Sequence, residues 1–336
     1  MKAVISRAPG QLAVETVPDP APSPGNLILR VAACGICGTD LHLHQAKILP
    51  PGAIMGHEFC GEVMETAGGF QAGERVCALP ARSCGRCERC RSGLGAYCQN
   101  QRTLGLGDAP GAYAELVEIA PHDAVRLPAS VEDAQGALVE PLAVGLHAVN
   151  VARIRAGESV LVIGAGPIGL AIALWARHYG ADPVVVSERS AGRRAMAERI
   201  GASHVANPET EDLGATLERI VPTGPDAVFE AVGVPGLLQE ALSRVRFRGR
   251  LVVAGVCMVP DTMEPFPAIL KEASIHFVMA YEKDDFQYTV DMLEQQRIAP
   301  LPLITNRIGL EEVAQTFESL AKPSEQCKVL VLPQLG

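Results

Sequence analysis

The chain has 336 residues, of which 48% are hydrophobic and 20% charged, with a formal net charge of -9. This length exceeds the size at which one hydrophobic core usually keeps growing, so two domains are expected. The acidic balance and the scattered basic residues exclude a nucleic-acid-binding surface. No apolar run is long enough to span a bilayer, and the N-terminal segment lacks the apolar core of a signal peptide. A cytoplasmic protein without a membrane partner is expected.

Residues 1–146 are expected to form a compact, β-rich first domain. Short apolar runs, such as residues 26–33, 61–65 and 113–119, alternate with segments rich in Gly and Pro. This pattern predicts short strands joined by irregular loops.

Two short motifs in this domain contain residues that can bind a metal. Cys37 lies within CGICGTDLH, and His57 lies within GHE. A catalytic zinc takes three protein ligands and keeps one position open, and an acid, either Glu58 or Glu140, would complete the set. One thiolate and one carboxylate balance the dication, so an alcohol bound there could lose its proton. The cysteines outside any polar motif are expected to be buried core residues: Cys34, Cys60, Cys77, Cys257 and Cys327.

Four further cysteines follow at C-x2-C-x2-C-x7-C spacing: Cys84, Cys87, Cys90 and Cys98. Four thiolates so close together suit a tetrahedral zinc whose positions are all filled by protein, which leaves no position for chemistry. An iron–sulfur cluster is the alternative. The bacterial ferredoxin pattern has three residues before its last cysteine and a proline after it. Here the gap is longer and Gln99 follows, so a structural zinc is expected.

Residues 147–283 are expected to form a second, α/β domain. Apolar runs suited to strands buried on both faces alternate with segments of helical period, which predicts a doubly wound parallel sheet of the Rossmann type. The predicted strands are 159–164, 183–188, 203–207, 226–231, 250–255 and 274–279, and the predicted helices include 167–179, 191–200 and 236–245.

The first of these strands runs directly into a glycine-rich turn that opens a helix. The turn has G-x-G-x-x-G spacing and contains Gly164, Gly166, Pro167, Ile168 and Gly169. Such a turn lets the backbone approach a pyrophosphate at the positive end of the helix.

The residue that ends the next strand decides which dinucleotide is expected. Glu188 stands where an acid binds the ribose 2′-hydroxyl, which favours NAD over NADP. Arg189 follows it and could accept the 2′-phosphate of NADP, although a solvated surface charge is the commoner role of an exposed arginine.

Residues 284–336 are expected to return to the first domain, because the Rossmann strands are already complete. They contain a predicted helix, 284–296, and a final strand, 328–333.

Taken in order, CGICGTDLH, GHEFCGEV, the four cysteines, EPLAVGLHAV and GAGPIGL resemble the zinc-dependent medium-chain alcohol dehydrogenase family, over essentially the whole chain. Glu140 within EPL, together with Gly38, is most similar to the sorbitol and threonine dehydrogenase branch. The resemblance implies a GroES-like β-rich catalytic domain followed by a Rossmann domain. It also implies a homodimer or homotetramer.

The resemblance further implies roles for individual residues. Cys37 and His57 would be ligands of one catalytic zinc, with either Glu58 or Glu140 as the third, and the four cysteines would hold one structural zinc. Thr39 would accept the proton of the substrate, His42 would pass it to solvent, and Asp40 would orient His57. The NAD site would be lined by Gly164, Gly166, Gly169, Glu188 and Arg193, with main-chain groups near Val232 and Val256 approaching the nicotinamide.

The activity so implied is reversible hydride transfer between NAD and a secondary alcohol, polyol or amino alcohol. One alternative is a zinc-free quinone or enoyl reductase of the same superfamily, but such enzymes lack the Cys37 and His57 motifs and the four-cysteine segment. The other alternative is a non-catalytic metal-binding protein that has kept the fold.

Overall fold

The computed structural model describes residues 1–322 and 325–335. The chain falls into two compact units. The first contains Met1–Glu140, Glu282–Gln296 and Ile304–Gly336, and the second contains Pro141–Tyr281 and Arg297–Leu303.

The N-terminal segment is made of short strands with three short α-helices among its described residues. Its elements are β1 (Lys2–Ala8), β2 (Gln11–Thr16), β3 (Leu27–Gly35), α1 (Gly38–Gln45), β4 (Glu58–Val63), β5 (Arg75–Ala78), β6 (Ala81–Arg82), α2 (Glu88–Arg91), β7 (Arg102–Thr103), β8 (Leu116–Ile119), β9 (Ala124–Arg126) and α3 (Asp133–Gly136). The predicted β-rich character is confirmed. The helix α1 was not predicted from the sequence.

The middle of the chain alternates helices with strands. Its elements are α4 (Val139–Ala152), β10 (Val160–Ile163), α5 (Pro167–His178), β11 (Val184–Ser187), α6 (Ala191–Arg199), β12 (His204–Ala206), α7 (Leu213–Ile220), β13 (Ala227–Glu230), α8 (Leu237–Arg244), β14 (Arg250–Val253), α9 (Pro265–Lys271) and β15 (Ser274–Phe277). The chain ends with α10 (Lys283–Glu294), β16 (Ile304–Ile308), α11 (Val313–Leu320) and β17 (Lys328–Val331).

The main sheet of the first unit brings the end of β3 beside the start of β4 and beside β17. Its strand order is β16-β17-β3-β4-β5-β9, with β8 also paired to β3. Gly35 on β3 pairs with Glu58 on β4, and Val331 on β17 pairs with Cys34. Two segments far apart in sequence therefore meet next to the residues that follow β3.

The sheet of the second unit has the order β12-β11-β10-β13-β14-β15, and each of these pairs is parallel. Strands β10, β11 and β13 are buried along their whole length, because helices cover the sheet. The doubly wound parallel sheet predicted from the sequence is confirmed. Its carboxyl edge carries the glycine-rich turn after β10 and Glu188 after β11.

The structure also bears on the expected burial of five cysteines and on the search for membrane-spanning helices. Cys34, Cys60, Cys77 and Cys327 are buried as expected, but Cys257 is exposed, because it lies in the loop after β14 and not in the sheet. None of the helices in the described part of the chain has both the length and the apolar content that crossing a membrane requires.

Candidate active site

Cys37 lies at the N-cap of α1, where its sulfur is held by the helix. Its Sγ accepts a hydrogen bond from the N–H of Thr39 at 3.4 Å, and the Asp40 carboxylate accepts one from the N–H of Cys37 at 3.0 Å. This reciprocal arrangement is a capping box in which cysteine takes the place of the usual serine. The cap therefore fixes the position of the sulfur, which is the atom through which a cysteine binds a metal.

Asp40 is fully buried and connects Tyr113 to His57. The Tyr113 hydroxyl donates to Asp40 Oδ2 at 2.6 Å, and Asp40 Oδ1 lies 3.4 Å from His57 Nδ1. Asp40 Oδ1 and His57 Nδ1 have no other hydrogen-bond partner among the described residues. With Nδ1 directed at the carboxylate, Nε2 of His57 is left for a metal, as in most metal-binding histidines.

Charges around His57 control its protonation. Burial alone lowers the pKa of His57, but the Asp40 carboxylate and the Cys37 thiolate outweigh burial and raise the pKa well above its usual value. A cation is therefore favoured at this position, and a proton and a metal ion compete for it.

Glu58 is buried beside this group and forms an ion pair with Lys328. The Lys328 ammonium donates to both Glu58 oxygens, at 2.7 and 2.6 Å, and to the Ile36 carbonyl at 2.9 Å. A methyl group on Gly35 would lie 2.0 Å from Glu58 Oε2, so only glycine leaves room for this carboxylate.

The structure brings Cys37, His57 and Glu58 together, with one ligand atom of each within 4.8 Å of the others. A thiolate, an imidazole and a carboxylate at this spacing suit zinc and leave a coordination position open. Glu140 is buried in the first turn of α4 and, among the residues described, is not a member of this group. Both Glu58 oxygens also accept hydrogen bonds from Lys328.

The two residues expected to handle the proton lie on α1. Thr39 is partly exposed in the first turn, and His42 is exposed one turn further along. Both residues therefore lie on the helix whose N-cap is Cys37.

The four-cysteine segment folds around a common centre. The Sγ atoms of Cys87 and Cys90 are 3.4 Å apart, those of Cys87 and Cys98 are 3.8 Å apart, and those of Cys84 and Cys90 are 3.9 Å apart. Zinc–sulfur bonds of about 2.3 Å in a tetrahedron give sulfur–sulfur edges of about 3.8 Å. The N–H groups of Arg86 and Cys87 also lower the pKa of Cys84 to about 6, which favours its metal-binding form. The residues fit a closed zinc site.

The glycine-rich turn has the geometry of a phosphate-binding loop. Gly164 has a φ of +97°, and a methyl group on Gly169 would lie 1.9 Å from the Gly164 carbonyl oxygen, so both positions require glycine. Gly166 is the N-cap of α5 and provides no capping side chain, while space in front of it is open. The first-turn N–H groups of α5 are thus suited to an anion.

Glu188 is held against this turn by its backbone contacts. Its carboxylate accepts hydrogen bonds from the N–H groups of Ala165 and Ser190, each at 2.8 Å. Arg189 Nη1 lies 3.6 Å from Glu209 Oε1, and the N–H of Arg193 donates a hydrogen bond to the Ser190 hydroxyl. The carboxylate, rather than Arg189, faces the predicted pyrophosphate turn.

Two residues near the metal group were missed in the sequence. Tyr113 and Lys328 are both buried and contact Asp40 and Glu58, respectively. A usable signal existed for Lys328, since a lysine that opens a buried apolar strand needs a partner. Tyr113 carried no such signal.

Comparison with known proteins identifies the family. The model of the alcohol dehydrogenase GroES-like domain matches residues 23–129, and the model of the zinc-binding dehydrogenase matches residues 167–295. The predicted GroES-like domain followed by a Rossmann domain is confirmed.

Several characterised or solved proteins are similar over nearly the whole chain. A 2-dehydro-3-deoxy-L-galactonate 5-dehydrogenase from Pseudoalteromonas atlantica is 34% identical over 93% of this chain and 92% of its own length. An L-threonine 3-dehydrogenase from Rhizobium rhizogenes is 31% identical over 95% of each chain. A zinc-binding dehydrogenase structure from Sinorhizobium meliloti 1021, bound to NADP, is 33% identical, with a TM-score of 0.90 and 99% of each chain covered. The chain therefore belongs to the zinc-dependent medium-chain dehydrogenase family and is an NAD(P)-dependent alcohol oxidoreductase.

Proposed function

We propose that the protein oxidises a secondary alcohol, polyol or amino alcohol to the ketone with NAD, and catalyses the reverse reaction. The observation that carries this proposal is the group of Cys37, His57 and Glu58, with Asp40 behind the imidazole. A zinc-free quinone or enoyl reductase has no use for such a group. A purely structural metal site would have no reason to leave a position open.

The roles of the side chains follow from their positions. Bound zinc would lower the pKa of the substrate hydroxyl, and bound NAD would accept the hydride. The Thr39 hydroxyl, two residues after Cys37, is proposed to relay the proton of the substrate, accepting it while donating its own proton onward. His42 is exposed on the same helix and is suited to release that proton to water. Asp40 holds His57 in the orientation that ligation needs.

We propose one catalytic and one structural zinc per chain, the latter held by the four-cysteine segment. Cys37 and His57 are the proposed fixed ligands of the catalytic ion. Glu58 is the acid that its position favours as the third ligand, with Glu140 as the alternative.

A first domain of residues 1–146 and 284–336 would carry the metals, and residues 147–283 would carry the cofactor. Ten free thiols, four of them grouped at metal-binding spacing, also support a cytoplasmic location.

Steady-state assays with NAD test the activity across secondary alcohols, polyols, amino alcohols and their ketones. Turnover with at least one compound is expected, because the residues of the metal group suit an alcohol-binding zinc and those of the glycine-rich turn suit a dinucleotide. The relatives named above act on a deoxy sugar acid and an amino acid, so both compounds belong in the panel. Absence of turnover in the whole panel would favour the non-catalytic alternative.

We further propose a preference for NAD over NADP, which is supported by the position of Glu188. Its carboxylate would repel a 2′-phosphate, so replacing Glu188 with glutamine is expected to lower the ratio of kcat/KM for NAD to that for NADP by about tenfold or more. Glu198→Gln, an exposed change on α6, is the control and should leave the ratio unchanged. The Sinorhizobium meliloti structure contains NADP. A preference of the wild-type protein for NADP would contradict the proposal.

We also propose a homo-oligomer that forms through the edge strand β15. Phe277 and Met279 are 73% and 70% exposed, and Phe266 and Ile269 on the neighbouring α9 are 66% and 67% exposed. An apolar edge strand of this kind is a template for pairing, and a second copy of the strand matches it in length and chemistry.

Sedimentation equilibrium tests this association. Phe277→Asp is expected to shift the wild-type dimer or tetramer towards a smaller species, whereas Ile48→Asp, at an apolar residue that is 64% exposed in the first unit, should not. A monomeric wild-type protein would refute the proposal.

A further inference from the structure

Glu230 is a buried carboxylate at the carboxyl end of β13, and none of the roles above uses it. Its side chain is 3% exposed, and no lysine or arginine in the described parts of the chain forms an ion pair with it. Burying a carboxylate costs free energy unless hydrogen bonds compensate for the lost water. The contacts of this group therefore indicate what it does.

The carboxylate holds the loop that follows β13. Glu230 Oε1 accepts hydrogen bonds from the N–H groups of Val232 and Gly233, at 2.7 and 2.8 Å. Gly233 has a φ of +78°, so the loop turns sharply at this point. The exposed side chain of Val232 is thereby fixed over the glycine-rich turn, since a methyl group on Gly164 would lie 2.6 Å from Val232 Cγ2.

The same residue also holds the loop that follows β14. The main-chain carbonyl of Glu230 accepts hydrogen bonds from the N–H groups of Ala254 and Gly255, at 2.8 and 2.9 Å. A methyl group on Gly255 would lie 2.5 Å from Glu230 Oε2 and 2.3 Å from the nitrogen of Gly233. The two loops touch beside the carboxylate, and Val256, the next residue in the chain, is 60% exposed.

We propose that Glu230 is a positioning residue for the nicotinamide end of the cofactor, an inference that rests on the cofactor site of the proposed function. It fixes the loops 231–234 and 254–257, which present the exposed valines Val232 and Val256 at the carboxyl edge of the sheet. In this arrangement the glycine-rich turn and Glu188 bind the pyrophosphate and the adenosine ribose. The two loops joined by Glu230 contact the nicotinamide ring.

The inference is tested by measuring two dissociation constants, one for NADH and one for ADP-ribose, which lacks the nicotinamide. Glu230→Ala leaves two N–H groups without their acceptor, so it is expected to weaken NADH binding by about tenfold or more and ADP-ribose binding by less than about twofold. Glu230→Gln keeps an acceptor oxygen and should recover most of the NADH affinity. Asp226→Asn, at the residue that precedes the same strand, is the control and should change neither constant.

Equal weakening of both ligands would show general damage to the sheet and would overturn the inference, as would unchanged NADH binding. If Glu230→Ala does not fold, Gly255→Ala provides the same test, because its methyl group would separate the carboxylate from the main chain of Gly233. The same selective loss of NADH binding is then expected. A wild-type protein that binds neither ligand would instead refute the proposed cofactor site, and the inference with it.

Discussion

Replacing Cys37 with serine is expected to lower kcat/KM for the alcohol by about 10³-fold or more and to remove about one of two zinc ions per chain. A hydroxyl at the N-cap of α1 can still cap the helix, so the fold should survive, but it is a poor zinc ligand. Loss of the metal removes several kcal/mol of transition-state stabilisation, which corresponds to that change in rate. Elemental analysis and steady-state kinetics on the same preparation provide the measurement.

Cys257→Ser is the matched control for this experiment, because Cys257 is exposed and lies outside both metal groups. It should keep both zinc ions and full activity. Full activity in Cys37→Ser would exclude the proposed mechanism. Loss of both zinc ions would mean that the substitution had damaged the whole first unit and not one site.

Replacing Lys328 with methionine is expected to lower the free energy of unfolding by about 3–5 kcal/mol, the usual result of removing one partner of a buried ion pair. Lys328 and Glu58 are each 1% exposed, so water cannot take over the role of the ammonium. Burial alone lowers the pKa of Lys328, but the Glu58 carboxylate raises it above its ordinary value, so the ammonium remains charged near neutral pH. Urea denaturation at matched zinc content measures the loss, and hydrogen exchange in β3, β4 and β17 should locate it.

Two further variants make the Lys328 result specific. Lys283→Met removes an exposed lysine that donates to the His122 carbonyl, so it should cost less than about 1 kcal/mol. Lys328→Met combined with Glu58→Gln leaves no uncompensated charge and should be less destabilised than Lys328→Met alone. If Lys328→Met were as stable as the wild type, the ion pair would not support the metal group in the way described.

The fold could be predicted because its signals are local. Each strand of the second unit is a short apolar run, and the turn at Gly164 combines a strand, a glycine pattern and a helix within a few residues. Helix α1 was missed because CGTDLH has no apolar period. Its start is marked only by a capping box with cysteine at the cap, a pattern that usually contains serine or threonine.

The candidate site was predictable where the sequence placed metal-binding residues in short motifs, as with Cys37, His57 and the four cysteines. Its surroundings depend on contacts between distant segments. Lys328 reaches Glu58 across 270 residues, and Tyr113 reaches Asp40 across 73. Strand pairing between β17, β3 and β4 creates the first of these contacts, and no local pattern encodes it. The choice between Glu58 and Glu140 is of the same kind, because it depends on where each carboxylate lies and not on its neighbours in sequence.

A crystal structure with anomalous diffraction recorded at the zinc edge tests the central claim most directly. The account predicts a peak among the four cysteine sulfurs and a second one about 2.3 Å from Cys37 Sγ and about 2.0–2.1 Å from a ring nitrogen of His57, with a carboxylate as the third protein ligand. A single peak at the four cysteines, with Cys37 and His57 bound to no metal, would contradict it.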